Sequence, residues 1–302
     1  MDVGAHLPLI DFGEGPTSAR ELVSYARRCA DLGFRAIAAN DHLVFARPWL
    51  DGLTALASVA DASGDLELAT TVALSVVRGP VVLAKALASL DVLSGGRVVA
   101  GVGPGSSPRD HVAVGLDYAE RWRRLDDTIA AMRALWSGQE YAGRFYSTAG
   151  VDLTPRPVRA GGPPLWVGSW GSPAGLRRVA RLADGWLASA YHLTPATFAQ
   201  GRARLEEERA ALGRSTLPNA VATFFVQITE DRHEAEHLLG HVLAPALNRD
   251  PEVLTARLGV GPLSLVAERL DALRAAGVQR LYVWPVRDHA RQLELVTTAL
   301  AR

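Results

Sequence analysis

The chain has 302 residues, of which 48% are hydrophobic and 21% charged, and this composition excludes a disordered or fibrous protein. The 32 basic and 32 acidic side chains cancel, so no net charge draws the protein to nucleic acid or to an anionic membrane. Its one cysteine, Cys29, has no internal disulfide partner, which favours a reducing compartment. No apolar run approaches the roughly 18 residues of a membrane span, and the first residues lack the pattern of a secretory signal. We therefore expect a soluble, cytoplasmic protein, and its size is typical of an enzyme.

Short apolar runs alternate with longer amphipathic stretches along the chain. The apolar runs predict eight strands, at residues 3–9, 34–40, 66–75, 97–102, 165–167, 185–190, 220–228 and 278–284. The amphipathic stretches predict helices, at residues 18–32, 50–62, 81–93, 120–136, 173–183, 195–212, within 232–258, and at 264–276 and 288–300. Eight strand–helix units in about 300 residues match an α/β fold of the (β/α)8 TIM-barrel type. A doubly wound open sheet is the alternative.

One insertion, at residues 138–164, interrupts this alternation. Residues 141–153 carry aromatic and β-branched side chains around Gly143 and Gly150, which predicts a short hairpin. A connector rich in proline and glycine follows, up to Pro164. No flexible linker or change of composition divides the chain, so we expect a single barrel domain over residues 1–302.

In such a barrel the active site lies at the carboxyl ends of the strands, so the residues that follow each strand are the functional candidates. Asn40, Asp41 and His42 follow the second predicted strand. A histidine at this position can hydrogen-bond a ligand carbonyl or move a proton near neutral pH. The structural alternative is an aspartate that caps the loop beside a histidine without a catalytic role.

Two glycine-rich segments follow later strands. Residues 101–107 differ from the dinucleotide pattern G-x-G-x-x-G, because Ser106 occupies the place of the third glycine. The glycines let the backbone approach a flat ring, or simply form a tight turn. Residues 168–173 start a helix with Pro173 at its first position. The free N–H groups and the helix dipole favour an anion there, although an ordinary N-cap has the same residues.

The segment from His233 to His237 matches the zinc motif H-E-x-x-H, and His241 continues the same helix face. A catalytic zinc site also needs a third ligand in a cleft. This helix is expected in the outer layer of the barrel, beside an apolar stripe. A solvated helix face is therefore the preferred interpretation, and we expect no metal site.

The strand-end motifs, in this order, resemble those of the bacterial-luciferase-like superfamily of flavin- and F420-dependent oxidoreductases. The most specific stretch covers residues 72–105 and includes Arg78-Gly79-Pro80 and Leu90-Asp91-Val92-Leu93-Ser94-Gly95-Gly96-Arg97. Residues 163–168 and 183–186 add to the resemblance, which covers essentially the whole chain. The family fold is a (β/α)8 barrel. Its members use FMN, usually reduced and for monooxygenation, or coenzyme F420 for hydride transfer. They are commonly homodimers, and no sequence feature here marks a dimer face.

The pair Asp41-His42 resembles the F420-dependent branch, whereas luciferase-type members tend toward Glu-His. The resemblance therefore implies an F420-dependent oxidoreductase that transfers a hydride to or from a small organic substrate. It implies that His42 donates a proton or polarises the substrate, and that Asp41 contacts the cofactor. Thr71-Val72 lies where F420-dependent members carry a bulge with a non-prolyl cis peptide. The implied cofactor-binding residues are Asp41, Thr71, Val72, Gly103, Gly105, Ser106, Gly168, Ser169, Trp170, Gly171 and Ser172.

Ser106 is a departure from the family pattern, because sugar-phosphate dehydrogenases of the F420 branch have an acidic residue after the same turn. This argues against that substrate chemistry and leaves the cofactor open. Two alternatives therefore stand: a monooxygenase that uses reduced FMN in the same pocket, and a flavin-binding barrel that no longer catalyses. The substrate cannot be read from the sequence. The strand-end positions predict that its pocket is lined by Phe45, Trp49, His111, His192 and Trp284.

Overall fold

The computed structural model describes all 302 residues. Its ten strands are β1 Asp2–His6, β2 Ala36–Ala39, β3 Glu67–Thr70, β4 Ala73–Leu74, β5 Val98–Gly103, β6 Leu165–Gly168, β7 Gly185–Ser189, β8 Asn219–Ile228, β9 Gly259–Gly261 and β10 Arg280–Pro285. Helices follow or connect these strands. None of them combines the length and the apolar character that a membrane crossing needs.

The helices begin and end close to the predicted positions. They are α1 Ala19–Asp31, α2 Gly52–Val59, α3 Ser75–Arg78, α4 Pro80–Leu93, α5 Pro108–Ala113, α6 Arg121–Ser137, α7 Pro173–Leu182, α8 Pro195–Ala211, α9 Arg232–His237, α10 Ala244–Leu247, α11 Pro251–Arg257, α12 Leu263–Ala275 and α13 His289–Leu300. A 3-10 turn, Tyr118–Glu120, precedes α6, and a π-helical segment, Leu238–Leu243, joins α9 to α10. Capping residues explain several starts: Ser18 accepts from the N–H of Glu21 at α1, and Thr194 from that of Thr197 at α8.

The strands form a closed parallel barrel. The pairing order is β10-β1-β2-β3-β5-β6-β7-β8, and β10 also pairs with β8, which closes the sheet. The short strand β4 pairs with β5 beyond the end of β3, so β3 and β4 together form one of the eight barrel strands. The predicted (β/α)8 barrel is confirmed, and the open sheet is wrong. The three-residue strand β9, which the sequence did not predict, adds to the end of β8.

Two buried clusters make the core. The larger one joins the outer face of the strands to the helices, as for Ile37 and Leu68. The smaller one consists of side chains on the opposite, inner face of the strands. It fills the barrel with small side chains around Trp166 and Tyr282. Glycine is required opposite these rings, because a Cβ on Gly185 would lie 2.3 Å from Trp166, and one on Gly4 would lie 2.7 Å from Tyr282.

The structure differs from the prediction in two segments that border the site. The predicted strand 66–75 is divided between β3 and β4 by a cis peptide bond at Thr71-Val72, the conformation that the family resemblance implied. In the insertion, the predicted hairpin is reduced to one antiparallel bridge between Ala142 and Ser147. The side chain of Asp127 on α6 accepts the N–H groups of Phe145 and Tyr146. These donors are therefore satisfied by the helix instead of by a second strand.

Candidate active site

Two adjoining cavities open at the carboxyl ends of the barrel strands. The barrel-mouth cavity is lined by residues that follow the strands, among them Thr71, Val72, Gly103, Gly105, Gly168 and Ser169. The side cavity is lined by Phe45, Trp49, Phe225, Arg249 and Trp284, among others. They share Asn40, His42, Ser106, Trp170, Tyr191 and Thr223. The two therefore form one continuous concavity.

His42 lies at the junction of the two cavities, and a buried carboxylate holds its ring. The Nδ1 atom of His42 is 2.6 Å from Oδ2 of Asp110, which is fully buried at the start of α5. The other oxygen of Asp110 accepts the N–H groups of Leu43 and Val44. Burial alone would raise the pKa of Asp110, but the hydrogen bonds from His42 and from these N–H groups outweigh it and lower the pKa.

This arrangement fixes which nitrogen of His42 can react. A carboxylate that accepts from Nδ1 keeps the proton on that atom, so Nε2 is the acceptor in the neutral ring and a donor in the charged one. Nε2 has no hydrogen-bond partner within the protein. The rings of Phe45 and Trp49 pack against the imidazole, with centroids 5.0 and 4.9 Å away. His42 therefore presents one free nitrogen, in a fixed orientation, to the ligand space.

Asp41 lines the barrel-mouth cavity, but its carboxylate is bound by groups of the protein itself. Both oxygens accept from the guanidinium of Arg78, at 2.7 Å each, and Oδ2 also accepts the N–H of Leu74. Arg78 contacts Asp51 as well, and the bonds to the two carboxylates raise its pKa well above the ordinary value. Asp41 is only 3% exposed. Its hydrogen bonds therefore anchor the Thr71–Leu74 segment at the cavity wall.

Val72 lies between two glycines of neighbouring strand ends. Its N–H donates to Oδ1 of Asn40 at 2.8 Å. A Cβ on Gly103 would lie 2.8 Å from Cγ2 of Val72, and one on Gly168 would lie 3.1 Å from its Cγ1. The sequence predicted that Gly103 lets the backbone approach a flat ligand and that Gly168 belongs to an anion-binding segment. In the structure they also make room for Val72, which forms part of the cavity lining.

The turn after β5 brings Gly105 and Ser106 to the cavity and keeps His111 away from it. Gly105 has φ +91°, which favours glycine, and His111 lies directly beneath it, 3.0 Å from where a Cβ would be. His111 is fully buried and its Nδ1 contacts the carbonyl of Ser107. His111 was predicted to line the substrate pocket; in the structure it lines neither cavity, because its ring faces the turn.

The segment after β6 places some of its predicted residues at the cavity and others behind it. Gly168, Ser169 and Trp170 line the barrel mouth, whereas Gly171 and Ser172 do not. The hydroxyl of Ser172 caps α7 by accepting the N–H of Gly175 at 3.2 Å. The first N–H groups of a helix have no partners within it and carry the positive end of the helix dipole. The start of α7 therefore favours an anionic group at this edge.

The side cavity has an aromatic wall. Trp49 packs edge-on against Phe45 and Trp284, with centroids 4.6 and 5.7 Å away. Trp284 stacks between Phe225 and His6, at 4.8 and 4.2 Å. Phe45, Trp49 and Trp284 were predicted to line a substrate pocket, and all three line this cavity.

His192, the other predicted pocket residue, is neutral and fully hydrogen-bonded. Its ring stacks on Trp170, with centroids 3.8 Å apart. Burial, together with the charges of Arg249 and Arg257, lowers its pKa to about 3. Nε2 therefore accepts from Arg249 at 2.8 Å, and Nδ1 donates to the hydroxyl of Ser189 at 2.9 Å.

The lining is poor in negative charge. Asp41 is the one acidic side chain that borders either cavity, and Arg78 neutralises it. Three arginines border the cavities without any carboxylate partner: Arg121 at the barrel mouth, and Arg109 and Arg249 at the side cavity. The concavity is therefore positive although the whole chain is neutral, and it favours anionic ligands.

The H-E-x-x-H segment lies apart from both cavities. His233, His237 and His241 are exposed on the outer helix layer. The rings of His237 and His241 are 5.3 Å apart, and no group of three or more potential metal ligands occurs in the structure.

Sequence reasoning missed Asp110 and Arg249. Asp110 follows Ser107-Pro108, and a serine before proline with an acidic residue in the first turn is a helix-start pattern. That pattern could have predicted α5. It could not have predicted the contact between Asp110 and His42, which are 68 residues apart in the sequence. No local pattern distinguishes Arg249 from the other arginines of the chain.

Comparison with known proteins identifies the family. The family model described as luciferase-like monooxygenase matches residues 7–280. The chain belongs to this family. This is the family that its sequence motifs resemble.

Relatives and solved structures of this family are similar over different lengths. An uncharacterised protein of Mycobacterium tuberculosis is 36% identical over 175 residues, which are 57% of this chain and 61% of that protein. The F420-dependent hydroxymycolic acid dehydrogenase of the same species is 31% identical over 231 residues, 71% of this chain and 61% of the relative. The matches thus span about three fifths of these curated relatives. A monooxygenase from Streptomyces bottropensis has the same fold, with a TM-score of 0.84, 23% identity and coverage of 100% of this chain and 99% of that one.

Proposed function

We propose that this luciferase-like protein is an F420-dependent oxidoreductase that transfers a hydride between the deazaflavin and a small carbonyl or alcohol substrate. The observation that carries the proposal is the geometry of His42, which has one nitrogen bound to the buried carboxylate of Asp110 and the other free at the junction of two cavities. The relative that covers 71% of the chain is an F420-dependent dehydrogenase, which supports this choice of cofactor.

The residues of the barrel-mouth cavity fit a flat ring that carries a phosphate. Gly103 and Gly168 present backbone without side chains, and Val72 forms a small apolar surface beside them. Ser169, the start of α7 and the unpaired guanidinium of Arg121 offer hydrogen bonds and positive charge to an anion. We propose that these residues, with Thr71, Gly105, Ser106 and Trp170, hold the cofactor. Asp41 then acts by anchoring the Thr71–Leu74 segment through its bonds to Leu74 and Arg78.

His42 would provide the proton that balances the hydride. When bound, F420 supplies a hydride to a carbonyl carbon or accepts one from an alcohol. Nε2 of the charged His42 then donates a proton to the carbonyl oxygen during reduction, or the neutral ring takes the hydroxyl proton during oxidation. Asp110 accepts from Nδ1 throughout, so it orients the ring. Phe45 and Trp49 pack against the ring and limit the access of water.

A monooxygenase that uses reduced FMN is the second candidate. The resemblance of the fold to a monooxygenase favours it, and the same cavity would hold FMN. The two candidates differ in their need for oxygen, since hydride transfer to a carbonyl consumes none.

Turnover under nitrogen tests the proposal. Reduced F420 is mixed with the protein and a panel of small ketones and aldehydes, and oxidation of the cofactor is followed by absorbance. We expect oxidation without oxygen. We expect His42→Ala to lower turnover by about 10²- to 10⁴-fold, the usual contribution of general acid–base catalysis, with F420 affinity unchanged. Turnover that requires oxygen and FMN, or full turnover by His42→Ala, would overturn it.

A further inference from the structure

Arg249 is a cation of the side cavity that has no acidic partner. It is half-buried, and a guanidinium in this position is normally paired with a carboxylate. Its side-chain hydrogen bonds go to the carbonyl of Asn248 at 2.9 Å and to Nε2 of His192 at 2.8 Å. No acidic side chain lines this cavity. A guanidinium has five N–H donors, so several remain free for an anion.

The fold holds this guanidinium over the cavity. The helix α10 ends at Leu247; its C-cap, Asn248, has a left-handed conformation with φ 51°, and Arg249 follows directly. Ahead of α10 the chain has the π-helical turn Leu238–Leu243, a feature frequent at functional sites. The carbonyl of Ala244 accepts the N–H of Arg249 at 3.1 Å. The backbone on which Arg249 stands is therefore anchored to the helix that precedes it.

A chain of hydrogen bonds fixes the direction in which Arg249 points. The hydroxyl of Thr223 donates to the carbonyl of Ala222 at 2.6 Å, so it accepts from Ser189. Ser189 in turn accepts from Nδ1 of His192, whose Nε2 accepts from Arg249. Every proton in this chain has one possible place. Thr223 has φ 60°, uncommon for a β-branched residue, where the pairing of β8 with β10 shifts register.

The same cavity offers an apolar wall and the free nitrogen of His42. Phe45, Trp49, Phe225 and Trp284 provide the wall, and His42 lies where the two cavities meet. A ligand complementary to these groups has an apolar body, one carboxylate and, within the same molecule, an oxygen for His42.

We propose that Arg249 binds the carboxylate of the substrate and that the substrate is an apolar keto acid or the corresponding hydroxy acid. This rests on the proposed function for the reaction at His42, and on the side cavity alone for the choice of an acid. His192, Ser189 and Thr223 are positioning residues that hold the guanidinium. A carboxylate suits this site because the planar guanidinium can bind both of its oxygens.

A pair of probes that differ only in charge tests the proposal by binding alone. Benzoylpropanoate carries an aromatic ring, a ketone and a carboxylate, and benzoylpropanamide replaces the carboxylate with a neutral amide. Each is titrated by calorimetry into the protein without cofactor and into the protein saturated with F420. We expect the acid to bind at least about tenfold more tightly than the amide, as a charge-assisted pair with Arg249 would give.

Variants identify the residue that causes the preference for the acid. Arg249→Gln should remove the preference for the acid and leave amide binding and F420 affinity unchanged, and Arg249→Lys should keep part of the preference. Arg232→Gln, at a residue 87% exposed and paired with Glu236 on the outer layer, is the control and should behave as the wild type. Thermal unfolding confirms that each variant is folded.

The proposal would be overturned if the wild type showed no preference for the acid, or if Arg249→Gln kept an unchanged preference. Weakened F420 binding in Arg249→Gln would also overturn it, because Arg249 would then bind the cofactor instead of the substrate. An acid preference that depends on Arg249 in a protein that binds no F420 would support this inference and refute the proposed cofactor.

Discussion

Replacing Asp110 with asparagine isolates the charge behind His42. The amide has nearly the same shape, and its oxygen can still accept the N–H groups of Leu43 and Val44 that the carboxylate accepts. Its NH2 group then faces Nδ1 of His42 across a contact of 2.6 Å. The ring loses its acceptor and is driven to the tautomer with the proton on Nε2. The variant therefore removes the negative charge of residue 110 and the acceptor that orients the His42 ring, while the volume of the side chain is kept.

The size of the effect follows from the kind of bond that is lost. A hydrogen bond to a charged group contributes about 1.5–3 kcal/mol, and each 1.36 kcal/mol of barrier is a factor of ten in rate. If this bond acts in the transition state, kcat of Asp110→Asn should fall by about 10- to 150-fold. The affinities for cofactor and substrate should change little, because Asp110 lines neither cavity.

Steady-state kinetics and cofactor titration measure this split between kcat and binding. Asp126→Asn is the matched control, since Asp126 pairs with Arg178 and Arg181 away from both cavities, and its kcat should equal that of the wild type. Unchanged kcat in Asp110→Asn, or an equal loss in both variants, would refute the role given to the pair of Asp110 and His42.

Three further predictions concern stability. Burial lowers the pKa of His6 to about 3, whereas in the unfolded chain this histidine gains its proton near pH 6.5. Its contribution to the free energy of unfolding should therefore fall by about 2 kcal/mol between pH 6.5 and 5. His6→Gln should lose this contribution and keep the similar one of His192, whose pKa is also lowered to about 3. Gly103→Ala should cost about 1–3 kcal/mol by overpacking against Val72, and Val72→Ala in the same chain should recover most of it. Arg78→Met should cost about 3–5 kcal/mol, because the buried charge of Asp41 loses its partner.

Urea unfolding measures all three effects. An unchanged pH dependence in His6→Gln, a failure of Val72→Ala to rescue Gly103→Ala, or a stable Arg78→Met would contradict the corresponding argument. Arg78→Lys keeps the charge and should lose less stability than Arg78→Met.

The fold could be predicted from the sequence because its signals are local. Each strand–helix unit carries its own apolar pattern, and the count of eight such units gives the barrel. The break between β3 and β4 followed from the family resemblance at Thr71-Val72. The hairpin was predicted from composition alone. Two of its N–H groups bond across a short turn, from Gly143 to Tyr146 and from Thr148 to Tyr141, and those of Phe145 and Tyr146 bond to Asp127. The contact with Asp127 depends on how the insertion folds back on α6.

The residues of the candidate site were easiest to predict where they follow a strand directly. His42, Val72 and the glycine-rich segments have that position, and the structure brings them to one concavity. Asp110 and Arg249 act across long stretches of chain, through α5 and through the end of α10. Their contacts depend on the packed fold, which a local pattern does not contain.

The most direct test of the proposed cofactor is a side-by-side titration of the purified protein with F420 and FMN, each oxidised and reduced, followed by fluorescence. We expect binding of F420 at micromolar concentration or below and binding of FMN about a hundredfold weaker or more, a difference of about 2.7 kcal/mol. A preference for reduced FMN would instead support a monooxygenase. Binding of neither would contradict the placement of the cofactor at the barrel mouth.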